Sequence, residues 1–332
     1  MFKRISHALA ASALITSALV GTAQASETIN FGIISTESSQ NLKSLWDPFL
    51  ADMSKQTGYE INAFFAPDYA GIIQGMRFDK VDVAWYGNKS AIEAVDRANG
   101  EVFAQTVDAN GAAGYHSLLV AHKDSPINTV SDMLANAKNL NFANGDPNST
   151  SGYLVPGYYV FAQNGVDANS IFKRVISGSH EVNALSVANR QVDVGTFNTD
   201  AMDRITQTAP DKAAQLKVIW TSPLIASDPL VWRTTLSKNT RAKLYDFFMS
   251  YGDQPEEAKI LAALQWQKFK PSSNDQLLPT RQLELFKKRA EVAAHKDIAN
   301  DVKEKQLAEL DAELKALEAR MAQLAQNASE TH

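Results

Sequence analysis

A repeated spacing constrains the fold of this chain more than any other feature. The tripeptide Val81-Asp82-Val83 returns as Val192-Asp193-Val194, with Tyr69 and His180 each twelve positions upstream and Ser38 and Ser149 a further thirty-one upstream. Asp68 and Ser179, good acceptors for the unpaired N–H groups of a helix start, immediately precede Tyr69 and His180. Amphipathic stretches follow them and end near Arg77 and Arg190. Strand-like runs, Ile29–Ile34 and Leu140–Ala143, precede two Ser-rich turns. Helical patterns follow at Gln40–Lys55 and Gly152–Gln163, then strands at Glu60–Phe65 and Phe172–Ile176. Each half therefore reads β-α-β-α-β, an order that calls for an α/β fold with a mainly parallel sheet and helices on both faces. Ligands of such sheets bind beyond the carboxyl ends of the strands. Ser38, Tyr69, Ser149 and His180 all fall at that edge.

Two such lobes around one cleft make a Venus flytrap. His116–His122, with Val218–Trp220 or Leu230–Trp232 on the return, are the candidate strands linking them. Ser237–Gln267 reads as helices completing the first lobe, with Asp253-Gln254-Pro255 as a helix start. The expected division is residues 26–123 and 224–290 as a discontinuous first lobe, 124–223 as the second, and 291–332 as a helical tail.

The ends bear on location. Met1–Ala25 pairs Lys3 and Arg4 with the apolar run Ala8–Val20 and closes on Ala23-Gln24-Ala25, the pattern of a cleaved secretory signal peptide. That run is too short to span a bilayer, and no later segment reaches the length of a membrane helix. The mature chain is expected to be soluble and periplasmic. It has no cysteine, so disulfides and a lipid-anchored start are excluded. Without the first 25 residues, 30 basic side chains face 37 acidic ones, a formal charge of −7 that argues against nucleic-acid binding.

Residues 144–156 carry the clearest chemistry. Gly145, Asp146, Pro147 and Asn148 form a turn, and Ser149, Thr150 and Ser151 then open a helix. The first N–H groups of a helix lack internal partners and carry the positive end of its dipole, so a tetrahedral oxyanion fits there. One serine would serve simply as a cap; three consecutive hydroxyls leave two to spare. Gly152 lets the backbone approach closely.

Asn30–Glu37, Phe64–Gly71, Val83–Asn88, the Ser-Thr-Ser segment and Asp228–Trp232 together resemble the phosphonate-binding proteins of ABC transporters, over roughly Ile29 to Phe286. The resemblance implies a type II periplasmic binding fold, capture of an organophosphonate, and delivery to an inner-membrane permease. It assigns Ser149, Thr150, Ser151, Tyr69, Tyr115 and His180 to the phosphonate oxygens, and Asp200 and Asp228 to the amino group of 2-aminoethylphosphonate. Such a ligand has an anionic head and a cationic tail, which need donors and carboxylates respectively. The family has Glu at the position of Asp200, so the shorter side chain reaches less far toward an ammonium; a water could bridge the gap. His180 can donate from either ring nitrogen, and its protonation would make affinity depend on pH. Trp85 and Tyr86 are expected to shape the cleft rather than bind the anion, with core packing as the alternative.

No metal, cofactor or catalytic constellation is expected. The histidines are scattered, no HExxH or Walker pattern occurs, and Ser151-Gly152 is not a nucleophile elbow. The alternative is a periplasmic phosphonate or phosphate-ester processing enzyme on a similar fold. In the tail, Leu307, Leu310, Leu314, Leu317, Met321 and Leu324 alternate three and four apart within a helical stretch Val302–Gln326. This stripe can pack back on a lobe or pair two copies, and the expectation is a homodimer. Asn327–His332 is expected to be disordered.

Overall fold

The computed structural model describes residues 27–295 and 297–330; the proposed signal peptide Met1–Ala25 lies outside the described residues. Two sheets form the body. The first has six strands in the order Lys270–Pro271, Gly100–Gln105, Pro229–Arg233, Val83–Trp85, Thr28–Ile33 and Glu60–Phe64. The second has five, in the order Leu216–Thr221, Ser117–His122, Val194–Asn198, Asn141–Gly145 and Arg174–Gly178. In each sheet, three parallel strands from one repeat meet a single antiparallel strand at the same place, beside the third strand.

The repeated Val-Asp-Val has a physical cause. Asn30 N–H donates to the Asp82 carboxylate at 2.8 Å, and Asn141 N–H donates to that of Asp193 at 2.7 Å. In return Asp82 N donates to Asn30 O and Asp193 N to Asn141 O, both at 2.9 Å. Each aspartate thus pins the entry of its third strand to that of its first, fixing register where the ladder begins. The last valine of the motif opens the strand, so the third strands run from Val83 and Val194 onward.

The lobes are joined differently from expectation. Ser117–His122 and Leu216–Thr221 both belong to the second sheet and Pro229–Arg233 to the first, so none of the proposed crossing strands crosses. The links are the two-residue strands Gly114–Tyr115 and Ile225–Ala226, paired antiparallel. The switch between sheets on the outward pass therefore falls near Tyr115, ahead of Lys123. A side chain at 114 would place its Cβ 1.8 Å from Ile225 O, so this ribbon closes only over glycine.

Each sheet is sandwiched between two apolar clusters, which is why its central strands are buried on both faces. On the first sheet, Phe31, Trp46, Phe49, Phe248 and Phe269 pack with ring centroids 5.0–6.4 Å apart. Helices Lys238–Ser250 and Pro255–Ala263 complete this cluster through Leu244, Phe247, Phe248 and Leu261, with Pro255 in the first helical turn. In the tail, helix Asn300–Glu330 packs on helix Leu278–Ala294. Leu310 and Leu314 are buried, and Arg289 pairs with Asp311 at 2.5 Å. The helix runs through Asn327–Glu330, correcting the expectation of disorder there; Thr331 and His332 lie outside the described residues. Among the described residues no helix is long and apolar enough to cross a membrane.

Candidate functional site

Five helix starts meet between the carboxyl ends of the two sheets, at Tyr69, Asn88, Thr150, His180 and Thr199. Four have side-chain caps: Asp68 accepts from Gly71 N, Ser149 from Gly152 N, Ser179 from Val182 N and Asn198 from Ala201 N, at 2.7–3.2 Å. The expected α-helix after the cradle is instead two π-helical segments, Thr150–Leu154 and Gly157–Phe161. Leu154 N reaches back five residues to Ser149 O at 3.1 Å, so the opening turn is wider than an α-turn and its preceding N–H groups have no main-chain partner within it. Pro156, which has no N–H to donate, sits between the segments. Gly145 and Gly152 touch back to back: a Cβ on Gly145 would come within 2.4 Å of Gly152 O, and one on Gly152 within 2.9 Å of Ser149 Oγ.

The hydroxyls of the cradle are oriented by what they accept. Ser149 Oγ takes the Gly152 N–H at 2.9 Å, Thr150 Oγ1 the Lys89 N–H at 2.8 Å, and Ser151 Oγ the Asn198 amide at 3.1 Å. With a lone pair of each oxygen engaged by a protein donor, each O–H can turn to an acceptor: a ligand oxygen or, within the protein, Tyr69 for Ser149 and His180 Nε2 for Ser151. A ligand there must supply acceptors. The Tyr69 hydroxyl lies beside Ser149, and burial pushes its pKa up, so it stays a neutral donor. His180 Nε2 lies 3.3 Å from Ser151 Oγ and 3.2 Å from the Asn198 amide, and Nδ1 is buried without a partner. Burial lowers the His180 pKa to about 4, so the ring is neutral at neutral pH. That removes the pH dependence expected of it near neutrality.

Acidic groups line the same cavity. Burial and the neighbouring Asp200 raise the Asp228 pKa to about 8; hydrogen bonds from Tyr115 and Trp85 oppose the rise. Burial and Asp108 raise that of Asp200 to about 6. Glu37 is paired with Arg204 at 2.7 Å across the lobes. Asp108, Asp200 and Asp228 have no cation paired with them among the described residues.

All eight residues singled out in the sequence line this one cavity: Tyr69, Tyr115, Ser149, Thr150, Ser151, His180, Asp200 and Asp228. Tyr115, which the resemblance assigns to the phosphonate oxygens, has its hydroxyl donating to Asp228 Oδ1 at 3.0 Å. Trp85 lines the cavity as expected, whereas Tyr86 is core, fully buried with its hydroxyl donating to Ile72 O at 3.1 Å. The sequence reading passed over Asn198, Asp108, Arg204 and Trp266. Asn198 was within reach: it lies four positions beyond Val194, as the helix-capping Gly87 lies four beyond Val83. The others come from loops and a helix face that carry no motif.

Residues 31–277 match the family described as the phosphonate periplasmic substrate-binding proteins of ABC transporters. The chain belongs to this family. It is 59% identical over 290 residues to the phosphonates-binding periplasmic protein of Escherichia coli K12, covering 87% of this chain and 86% of that one. It is 32% identical over 232 residues to the phosphate-import protein PhnD of Mycolicibacterium smegmatis, covering 67% and 71%. The crystal structure of a binding protein component of an ABC phosphonate transporter from Pseudomonas aeruginosa superposes with a TM-score of 0.90 at 66% identity, over 90% of this chain and 99% of that one. The family carries substrates to transporters rather than transforming them, which sets aside the alternative of a phosphonate or phosphate-ester processing enzyme. Membership also implies a periplasmic location.

Proposed function

We propose that this family member captures an aminoalkylphosphonate, 2-aminoethylphosphonate in the first instance, by closing its lobes over it, and presents the closed form to an inner-membrane permease. The observation that carries the reading is the polarity of the cavity. One end offers O–H donors whose oxygens are already engaged. The other offers Asp200 and Asp228, with Asp108 beside them; among the described residues none of the three is in an ion pair, and the Arg204 charge acts on Asp200 from its pairing with Glu37. Ser149, Thr150, Ser151, Tyr69 and His180 take the phosphonate oxygens; Asp228 and Asp200 take the ammonium, with Tyr115 orienting Asp228. Charge-assisted hydrogen bonds contribute about 1.5–3 kcal/mol each, so a handful suffices for the roughly 8 kcal/mol of micromolar binding. Inorganic phosphate, the cargo named for the mycobacterial relative, fits the donor end but leaves the carboxylates unanswered.

Trp85 and Trp266, 5.7 Å apart on the cavity wall, make intrinsic fluorescence the natural readout. Titration with 2-aminoethylphosphonate, methylphosphonate and phosphate should give the tightest saturable response for the aminated ligand. Equal affinity for all three would withdraw the ammonium site and keep the anion site; calorimetric silence to all would end the reading. Export through cleavage after Ala25 belongs to the same proposal and is checked by the N-terminal mass of the periplasmic protein. So does a homodimer through the tail, supported by Leu317, Met321 and Leu324, which continue the stripe half-buried beyond Leu314. Sedimentation equilibrium at one protomer mass would remove it.

A further inference from the structure

The two lobes also meet outside the lining of the ligand cavity, at Glu181. Glu181, in the first turn of helix His180–Ala188 of the second lobe, reaches across to helix Ser39–Thr57 of the first. Its carboxylate accepts from Ser38 N and from Asn41 Nδ2, both at 2.7 Å, and its own N–H donates to Thr36 O at 3.3 Å. The carboxylate therefore sits at the positive end of a nineteen-residue helix contributed by the opposite lobe, where a negative charge is stabilised. It lines the outer groove and not the ligand cavity. Beside it, Glu37 and Arg204 make a second bridge of reversed polarity, a first-lobe carboxylate to a second-lobe guanidinium.

We infer that Glu181 and Asn41 form a latch: positioning residues that hold the closed state and set the affinity for every ligand by the same factor. The inference rests on the binding-by-closure reading above. When the lobes part, Ser38 N–H, Asn41 and Glu181 return to water and lose one another, so the latch acts only on the closed state. Apparent affinity scales with the population of the competent state, whatever the ligand. Contacts absent from the first encounter, made only on closure, act on dissociation.

The test uses the full mature chain and the variants Glu181→Ala, Asn41→Ala and the double. Stopped-flow fluorescence would follow methylphosphonate and 2-aminoethylphosphonate. Each single variant should raise koff by about three- to tenfold, equally for the two ligands, with kon unchanged. The double should do no more than the stronger single, because both delete one interaction. Asn41, exposed and in the other lobe, guards against a local disturbance of His180. An effect of Glu181→Ala without one of Asn41→Ala would overturn the latch, as would unchanged koff in both or losses that differ between ligands. Wild-type protein that bound neither ligand would instead overturn the function itself.

Discussion

Asp228 is a carboxyl group whose pKa burial and Asp200 have raised to about 8, so at pH 7 the ligand-free protein holds it mostly protonated. An ammonium placed against it favours the ionised form. Binding of 2-aminoethylphosphonate at pH 7 should therefore release up to about one proton more than methylphosphonate does, read by calorimetry in buffers of different ionisation heat. Below pH 6 the aminated ligand should lose affinity further as Asp200, at about 6, also takes a proton. Asp228→Asn should weaken that ligand by about 10–100-fold and the alkyl ligand little, on the scale of one charge-assisted hydrogen bond. The same residue bears on stability. Its folded pKa lies above its unfolded one near 3.8, so the stability it confers is complete below about pH 4 and is lost as pH rises through 8. Asp228→Asn should therefore melt about 2–4 °C above the wild type at pH 8.5 in the absence of ligand, and level with it at pH 4. At the anion end, Ser149→Ala with Thr150→Ala removes two donors to a charged group. Phosphonate affinity should fall about 10²–10⁴-fold for both ligands, while wild-type affinity would unseat the cradle.

At the scale of elements, the cradle is a π-turn seated on a glycine pair. Gly152→Ala would bring a Cβ to 2.9 Å from Ser149 Oγ and 3.2 Å from Gly145 Cα and His180 Cε1, all parts of the rigid site. Affinity for every phosphonate should drop at least tenfold with circular dichroism unchanged. A wild-type titration in that variant would show the turn to be more compliant than its packing suggests. The hydroxyl run, the turn before it and the need for Gly152 were legible in the sequence, because each is a local property of a few consecutive residues. The π-geometry was not, since apolar spacing alone does not separate it from an α-helix over so short a stretch. The third strands open two residues after the apolar pattern does: it begins at Val81 and Val192, but Asp82 and Asp193 are committed to the tie to the first strand.

In the whole molecule, helix Leu278–Ala294 bonds to the first lobe through Arg281–Asp96 and Glu284–Lys89, packs against the second through Phe286 on Tyr158, and carries the tail. Deletion of residues 300–332 removes Leu310 and Leu314 from a buried contact. Burial of a leucine contributes about 1.5–3 kcal/mol, so the melting temperature should fall by about 5–10 °C while phosphonate affinity stays level. A changed affinity would mean that the tail reports on the cleft. The sequence by itself determined the two repeats, their strand and helix order, the caps at Asp68 and Ser179 and the hydroxyl cradle, because these are written in spacing and local hydrogen-bonding capacity. Only the tertiary structure decided which strands stay within a lobe, that the Tyr115 hydroxyl donates a hydrogen bond to Asp228, and that Asp108, Asn198 and Trp266 share the cavity. Those depend on distances between residues far apart in the chain, which packing sets and local pattern does not encode.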